Sequence, residues 1–510
     1  MRQGLGYLFD PALAVTPDKV AIIQGETSLS FRELDRRADQ LAGTLRRDGV
    51  GLGARVALVF DNDYRFLECY FGALRIGAVV VPVNHRLSND GIFSILENAD
   101  AEVLLVSASQ VSRLAALPTG ASSPRRVVEL DALGPGMIGY DAWIAGASAK
   151  PPPCVPISHG DIAIQAYTAG STGRPKGCLL SHGGQLWNLD QVVSVVGFTS
   201  GDRAVVATPF GHKNATMSIK RLLRVGGSVV LLRAFDPEEY LAAVDRFKVT
   251  CTTGVPAMYQ MLVAQQQLFS RYDTSSVRIC FVASAQVPSG LQQAIRTYFP
   301  KAHLQEIYGA TEAGFLLQSL DGAPGLIPIP GAGVRILRED GSECATDKVG
   351  EITFHNHGVT LGYYRNPDIT AERLRDGRYH TGDLGRRTAD GRYVVLGRKD
   401  DMIVTGGENV YPKEIEDLLL RHPAVSEACV VPVPHPIKGQ VPVAFVVLRD
   451  AEAATETTIK RFCFAYGAAY AHPRRVFFLP ELPLSAPGKI DRSHLRAMAE
   501  SAVGEQHQGG

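Results

Sequence analysis

The sequence predicts an α/β protein, with a large N-terminal domain of parallel α/β sheets, a small antiparallel β-subdomain and a small α+β C-terminal domain. Three observations predict it. Short apolar runs of buried-strand type recur between helix-like stretches, as in Arg55–Phe60, 78–83 and 228–232. From about 328 to 398, short alternating segments such as Gly350–Phe354 are broken by glycine and Asp-Gly turns, the texture of antiparallel structure. After Arg398 helical and strand patterns mix again up to a polar end. The expected domains are therefore 1–398, with the β-rich part at about 328–398, and 399–510.

The elements follow in order. Ser30 precedes Phe31-Arg32-Glu33-Leu34, so a serine N-cap with a glutamate three residues on opens a helix. Its apolar spacing continues through Leu34, Ala38, Leu41 and Leu45. The runs at 55–60, 78–83 and 228–232 are read as parallel strands covered on both faces. Pro151-Pro152-Pro153 forms a stiff linker. Lys220, Arg221 and Arg224 fall on one helix and are read as a solvated face.

Composition excludes several classes. The 510 residues carry 52 basic and 52 acidic side chains, so the electrostatic footprint of a nucleic-acid binder is missing. The eight cysteines are scattered without a C-x-x-C pair, which speaks against a zinc ribbon or a disulfide scaffold and for buried thiols in a reducing compartment. No secretory signal and no apolar run of membrane-spanning length is evident, so a cytoplasmic protein is expected.

The chemistry is concentrated in a few clusters. Tyr167-Thr168-Ala169-Gly170-Ser171-Thr172-Gly173-Arg174-Pro175-Lys176-Gly177 combines three glycines, three aliphatic hydroxyls, a lysine and an arginine. Glycines let backbone N–H groups converge on an anion, hydroxyls donate to phosphate oxygens and lysine adds a mobile charge. The pattern is not a Walker loop, because Pro175 separates Arg174 from Lys176. Downstream lie Tyr308-Gly309-Ala310-Thr311-Glu312, Tyr379-His380-Thr381-Gly382-Asp383, Gly397-Arg398-Lys399-Asp400-Asp401, Thr405-Gly406-Gly407-Glu408 and Pro487-Gly488-Lys489-Ile490. Taken singly, each is more simply read as a turn or a solvated surface charge than as a site.

In this order and over nearly the whole chain, from Thr16-Pro17-Asp18-Lys19 past Lys489, the clusters resemble the adenylate-forming (AMP-binding) superfamily, in its acyl-CoA synthetase branch. The resemblance implies the adenylate-forming enzyme fold, with a mobile C-terminal domain. It also implies ATP, Mg²⁺ and coenzyme A as cofactors, and a carboxylic acid as substrate. Thr168, Gly170, Ser171, Thr172, Gly173 and Lys176 would hold the β- and γ-phosphates. Ala285 with neighbours Ser284 and Gln286, together with Glu306, Ile307, Tyr308 and Gly309, would form the adenine pocket. Thr311 would touch the α-phosphate, Glu312 would hold Mg²⁺, and Asp383 and Arg398 would take the ribose hydroxyls. Asp400 would be the hinge, and Lys489 would bridge carboxylate and α-phosphate. Gly406 and Gly407 would wall a pantetheine tunnel in the second half-reaction, and Arg475 would meet the phosphates of CoA. Relatives in this superfamily are commonly monomers or homodimers.

The acid pocket is assigned to His212, Lys213, Ala283, Ala310 and Gly314. Gly211 precedes His212 where an aromatic residue is usual, and no aspartate stands near His212 to pair with an ammonium, so an α-amino acid is disfavoured. Several small residues here leave two readings open, a roomy pocket or close packing of the sheet. Lys213 is read as reaching solvent, with contact to a second polar group of the acid as the alternative. The reading is a carboxylate–CoA ligase. The alternatives are a ligase that loads a separate carrier protein and a non-catalytic binder of acyl adenylates.

Overall fold

A computed structural model describes residues 2–114, 126–129, 138–145, 155–168, 175–283, 287, 289–319, 325–405, 408–450, 454–467, 472–486 and 489–507. Among the described residues, two large sheets dominate. One has seven strands in the order 138–139, 126–129, 101–106, 55–60, 79–84, 162–168 and 176–181. Its pairs are parallel except the last, where Ile162–Thr168 runs antiparallel to Lys176–Ser181. The other has nine strands, parallel from Val20–Gln24 through Ser228–Leu231, Arg203–Val206, Cys251–Gly254 and Ile279–Ala283 to His303–Ala310, with antiparallel strands at both edges. The expected strands at 55–60, 78–83 and 228–232 are all present, the last two within a residue.

Local signals explain several elements. Helix Phe31–Arg47 opens on the reciprocal capping box of Ser30 and Glu33. Its buried face packs against helix Arg65–Arg75 in a core that contains residues of both large sheets. The fully buried guanidinium of Arg75 is compensated there by Asp35 and Asp39, each 2.6 Å away. The seven described cysteines are buried free thiols, as the scattered spacing predicts, whereas Cys154 and the proline linker lie outside the described residues.

The β-rich part is an antiparallel sheet of Arg335–Leu337, Gly350–Phe354, Arg378–Arg387, Leu374–Arg375 and Tyr393–Arg398, interrupted by helix Pro367–Arg373. The C-terminal part pairs Ile403–Thr405, Glu408–Val410, Gly439–Leu448, Val425–His435 and Arg475–Phe478 in one sheet. It ends with the hairpin Leu484–Ala486/Lys489–Ile490 and helix Arg492–His507. No described helix is long and apolar enough to cross a membrane.

Two of the three cations read as a solvated face are buried. Lys220 is 2 % exposed, with its Nζ 3.3 Å from the Tyr70 hydroxyl and 3.4 Å from Gln185 Oε1. Arg221 is 1 % exposed, and its guanidinium lies 4.7 Å from the ring centres of both Phe281 and Phe315. Helix Lys213–Arg224 is covered on several sides, by the nine-stranded sheet and by helix His182–Val196, so helical spacing of charges did not mark a wet face. Arg224 alone meets an acid, Asp190, 2.9 Å away.

Burial pushes the Lys220 amine well below its ordinary value. Such a group binds its proton more readily when unfolded, so it destabilises the fold at neutral pH, and that penalty fades as pH rises toward about 10. Lys220→Met is therefore expected to stabilise the protein by on the order of 1–3 kcal/mol at pH 7, with the gain shrinking at alkaline pH. Urea denaturation at pH 7 and pH 9.5 checks this, and a loss of stability at pH 7 would contradict it.

Candidate active site

The carboxyl ends of the parallel strands gather the predicted nucleotide residues. Strand His303–Ala310 carries Glu306, Ile307, Tyr308 and Gly309. The Tyr308 hydroxyl donates to Asp383 Oδ2 at 2.5 Å, joining that strand to the β-rich sheet. Arg398 Nη1 donates to Asp383 Oδ1 at 2.9 Å and to the Thr381 carbonyl at 2.8 Å. Asp383 and Arg398 are register partners on neighbouring strands, which fixes this pair by backbone geometry. A carboxylate oxygen has more than one lone pair, so Asp383 keeps both protein bonds and still has capacity for diol hydroxyls. Glu306 Oε1 accepts from Gln292 Nε2 at 2.6 Å, and burial raises the pKa of its carboxyl.

Glu312 sits at the turn after this strand and is 8 % exposed. Its Oε1 accepts from the Tyr363 hydroxyl at 2.8 Å, and its backbone carbonyl accepts from Thr360 N at 2.6 Å. Spacing gave no hint of Tyr363 or Thr360, because about fifty residues separate them from Glu312. The segment predicted to hold phosphates is bounded by Thr168 and Lys176, which pair across the antiparallel strands. Gly170, Ser171, Thr172 and Gly173 lie outside the described residues, as do Ala285, Gly406, Gly407 and the side chain of Lys489.

His212 is the N-cap of helix Lys213–Arg224, and its Nε2 lies 3.3 Å from Asn84 Nδ2. Burial, with Arg86 and His85 nearby, pushes the imidazole below its ordinary pKa, so it is neutral at pH 7. Lys213 is half-buried rather than extended freely into solvent. Its Nζ donates to the Thr311 carbonyl at 2.7 Å, and burial pushes the amine down to about 8. Ala283 is buried at the end of its strand, while Ala310 is half-buried.

Close packing accounts for the glycines here. A Cβ on Gly211 would come within 2.5 Å of the Asn84 backbone, and one on Gly314, at φ +90°, would come within 2.4 Å of the Asn188 amide. Asp400 lies in the short turn Lys399–Asp401 directly after Arg398. Arg475 Nε donates to Glu456 Oε1 at 3.2 Å, within the C-terminal part.

The profile of the AMP-binding enzyme family matches residues 9–364, and that of the AMP-binding enzyme C-terminal domain matches residues 414–489. The chain belongs to the AMP-binding enzyme family. It is 35% identical over 504 residues to a feruloyl-CoA synthase of Amycolatopsis sp., covering 97% of this chain and 99% of that protein. It is 30% identical over 490 residues to a 2-succinylbenzoate–CoA ligase of Geobacillus sp. (strain WCH70), covering 95% of each. Among solved structures it is similar to the anthranilate CoA ligase AuaEII in complex with anthranoyl-AMP, with a TM-score of 0.90, 26% identity and coverage of 99% and 98%. ATP-bound MatB from Rhodopseudomonas palustris gives a TM-score of 0.88 at 28% identity, with 98% and 99% covered.

Proposed function

We propose that this chain activates an aromatic carboxylic acid as its acyl adenylate and passes the acyl group to the thiol of coenzyme A. The chain is an AMP-forming acid–thiol ligase of the AMP-binding family. The observation that carries the reading is Asp383, held between the Tyr308 hydroxyl and Arg398 beside the Thr311–Glu312 turn. On this reading Asp383 would accept from a ribose diol and Tyr308 would offer an aromatic face to a base, with the mostly buried Glu312 four residues after Tyr308.

In the first step an oxygen of the acid carboxylate attacks the α-phosphorus of ATP. The bond to the bridging oxygen breaks, and pyrophosphate leaves with the electron pair. In the second step the thiol sulfur attacks the acyl carbon, AMP leaves with the C–O bond pair, and the thiol proton passes to solvent. No protein nucleophile is needed. Positively charged groups at the reacting oxygens stabilise the transition state more than the ground state.

Tyr308, Asp383 and Arg398 would bind the adenosine, and Thr168 to Lys176 would hold the leaving pyrophosphate. Lys489 would serve the first step and the Gly406–Gly407 turn the second, with Asp400 as hinge and the domains parted at about 398. A donor set of one carboxylate plus phosphate oxygens and water fits Mg²⁺, which needs no cage of protein ligands. Glu312, oriented by Tyr363, would hold this ion, which supplies charge neutralisation of the phosphates. The aromatic acid class is supported by the feruloyl-, 2-succinylbenzoyl- and anthranoyl-handling relatives, and the lack of an acidic residue beside His212 disfavours an α-amino acid. Buried free thiols suit a cytoplasmic enzyme.

A pyrophosphate-release screen with ATP, coenzyme A and a panel of aryl, arylpropenoic and aliphatic acids tests the reading. The expected result is acid-dependent release greatest for ring acids, with the matching acyl-CoA as product. Product only with a carrier protein's phosphopantetheine would assign a different acceptor, and no release with any acid would overturn the reading.

A further inference from the structure

The first turn of helix Lys213–Arg224 presents hydrogen-bond donors without acceptors to match them. Among the described residues Lys213 makes no ion pair, and its ammonium has the Thr311 carbonyl as its hydrogen-bond partner, at 2.7 Å. An ammonium has three donors, so two remain. Asn214 Nδ2, the next residue's amide, is buried and has no hydrogen-bond partner among the described residues. The first N–H groups of a helix have no partner within it, and the His212 side chain makes no capping bond. The acceptors missing from this corner are oxygens bearing negative charge.

The direction of Lys213 says which oxygen fits. Its amine lies toward Thr311, and Glu312 and Cys178 are the acidic groups in electrostatic reach. Glu312 Oε1 is already engaged by Tyr363, and no direct Lys213–Glu312 bond forms. The Thr311–Glu312 turn is where the reacting end of the acid must meet the α-phosphate, so the charge is at that end of the acid.

We infer that Lys213 and Asn214 form a fixed oxyanion site for the acid substrate, one that holds its carboxylate during adenylation and the carbonyl oxygen of the acyl adenylate during thioester formation. This rests on the ligase reading above. Helix Lys213–Arg224 packs on strands Arg203–Val206 and Ser228–Leu231 of the nine-stranded sheet, whereas Lys489 is carried by the C-terminal part. A cation on the sheet body stays in place for both half-reactions. When the thiol sulfur bonds to the acyl carbon, the carbonyl π-pair moves onto oxygen. Lys213 and Asn214 donate to that oxygen until the C–O bond to AMP breaks with its electron pair and the carbonyl re-forms. Donors aimed at developing charge act more strongly on the transition state than on the ground state.

The test uses the full-length enzyme with an acid it activates. Acid-dependent ATP–pyrophosphate exchange reads the first half-reaction, and acyl-CoA formation from the supplied acyl adenylate reads the second. Lys213→Met is expected to lower both by about 100-fold, Asn214→Ala to lower both by about tenfold, and Lys213→Arg to restore part of the loss. A Lys213→Met enzyme that keeps its melting temperature and its ATP-induced thermal shift, yet forms acyl-CoA from the adenylate at the wild-type rate, would overturn the inference. A loss confined to acids that carry a second anionic group would also overturn it, by assigning Lys213 to that group. If Lys213→Met fails to fold, Asn214→Ala decides by the same two readouts. Wild-type enzyme without exchange for any acid would sink the ligase reading itself, an outcome distinct from these.

Discussion

Lys489→Ala is expected to lower acid-dependent ATP–pyrophosphate exchange by about 10²–10³-fold, while acyl-CoA formation from a supplied acyl adenylate stays within about threefold of wild type. Two anionic groups meet in the first half-reaction, and a lysine placed between them lowers the barrier by compensating their charge. In the second half-reaction a neutral thiol attacks an adenylate that already exists, so that need is absent. The fold gives this separation a physical basis. Lys489 pairs with Ala486 across the terminal hairpin, and Arg492, three residues on, donates to Glu416 Oε1 at 2.7 Å and to the Val430 carbonyl at 2.9 Å. Glu416 lies on helix Pro412–Leu419, which follows strand Glu408–Val410. The lysine hairpin is thereby tied to the helix that follows strand Glu408–Val410, and all of these elements lie beyond Asp400 in the chain. A rotation about that residue would move Lys489 and the Gly406–Gly407 turn together and exchange one for the other. Equal loss of both half-reactions in Lys489→Ala would refute the exchange. The same assay on Lys213→Met contrasts Lys489, on the part proposed to rotate, with a residue on the sheet body.

Much of this was legible in the sequence where the cause is local. The capping box at Ser30 and Glu33 needs three residues of chain, and the strands at 55–60, 79–84 and 228–231 declare themselves by unbroken apolar runs. Asp383 and Arg398 were named from separate motifs, and antiparallel register then put them opposite each other. What could not be read depends on the third dimension. The Tyr363–Glu312 hydrogen bond joins different strands and turns, and no periodicity marks it. Lys220 and Arg221 were misread because spacing reveals a helix face but not how many faces are covered. Long aliphatic stems and aromatic rings can bury a cation on a helix enclosed from several sides. The small residues near His212 supported two readings, and only the Asn84 backbone and the Asn188 amide favour packing at Gly211 and Gly314.

Asp383→Ala is expected to raise the KM for ATP by about 100-fold and to abolish the ATP-induced thermal shift, with a much smaller effect on the KM for CoA. The size follows from what the carboxylate does at once. It accepts from the Tyr308 hydroxyl and from Arg398, so it fixes the ring at the base site and the guanidinium at the strand end before any nucleotide arrives. It would also accept from the ribose diol, a charge-assisted pair of bonds that water replaces poorly in a half-buried site. Removing it loses those bonds and the order of both neighbours. Asp383→Asn separates the two contributions. The amide keeps the size and one acceptor oxygen but loses the charge that holds Arg398, so an intermediate rise of about tenfold is expected. Arg398→Met leaves the carboxylate with Tyr308 and should fall below Asp383→Ala in effect. An Asp383→Ala enzyme with wild-type KM for ATP and an intact thermal shift would place the nucleotide elsewhere. The Tyr308–Asp383–Arg398 cluster would then be a strut between the nine-stranded and β-rich sheets, and its loss would show as a lower melting temperature without ATP.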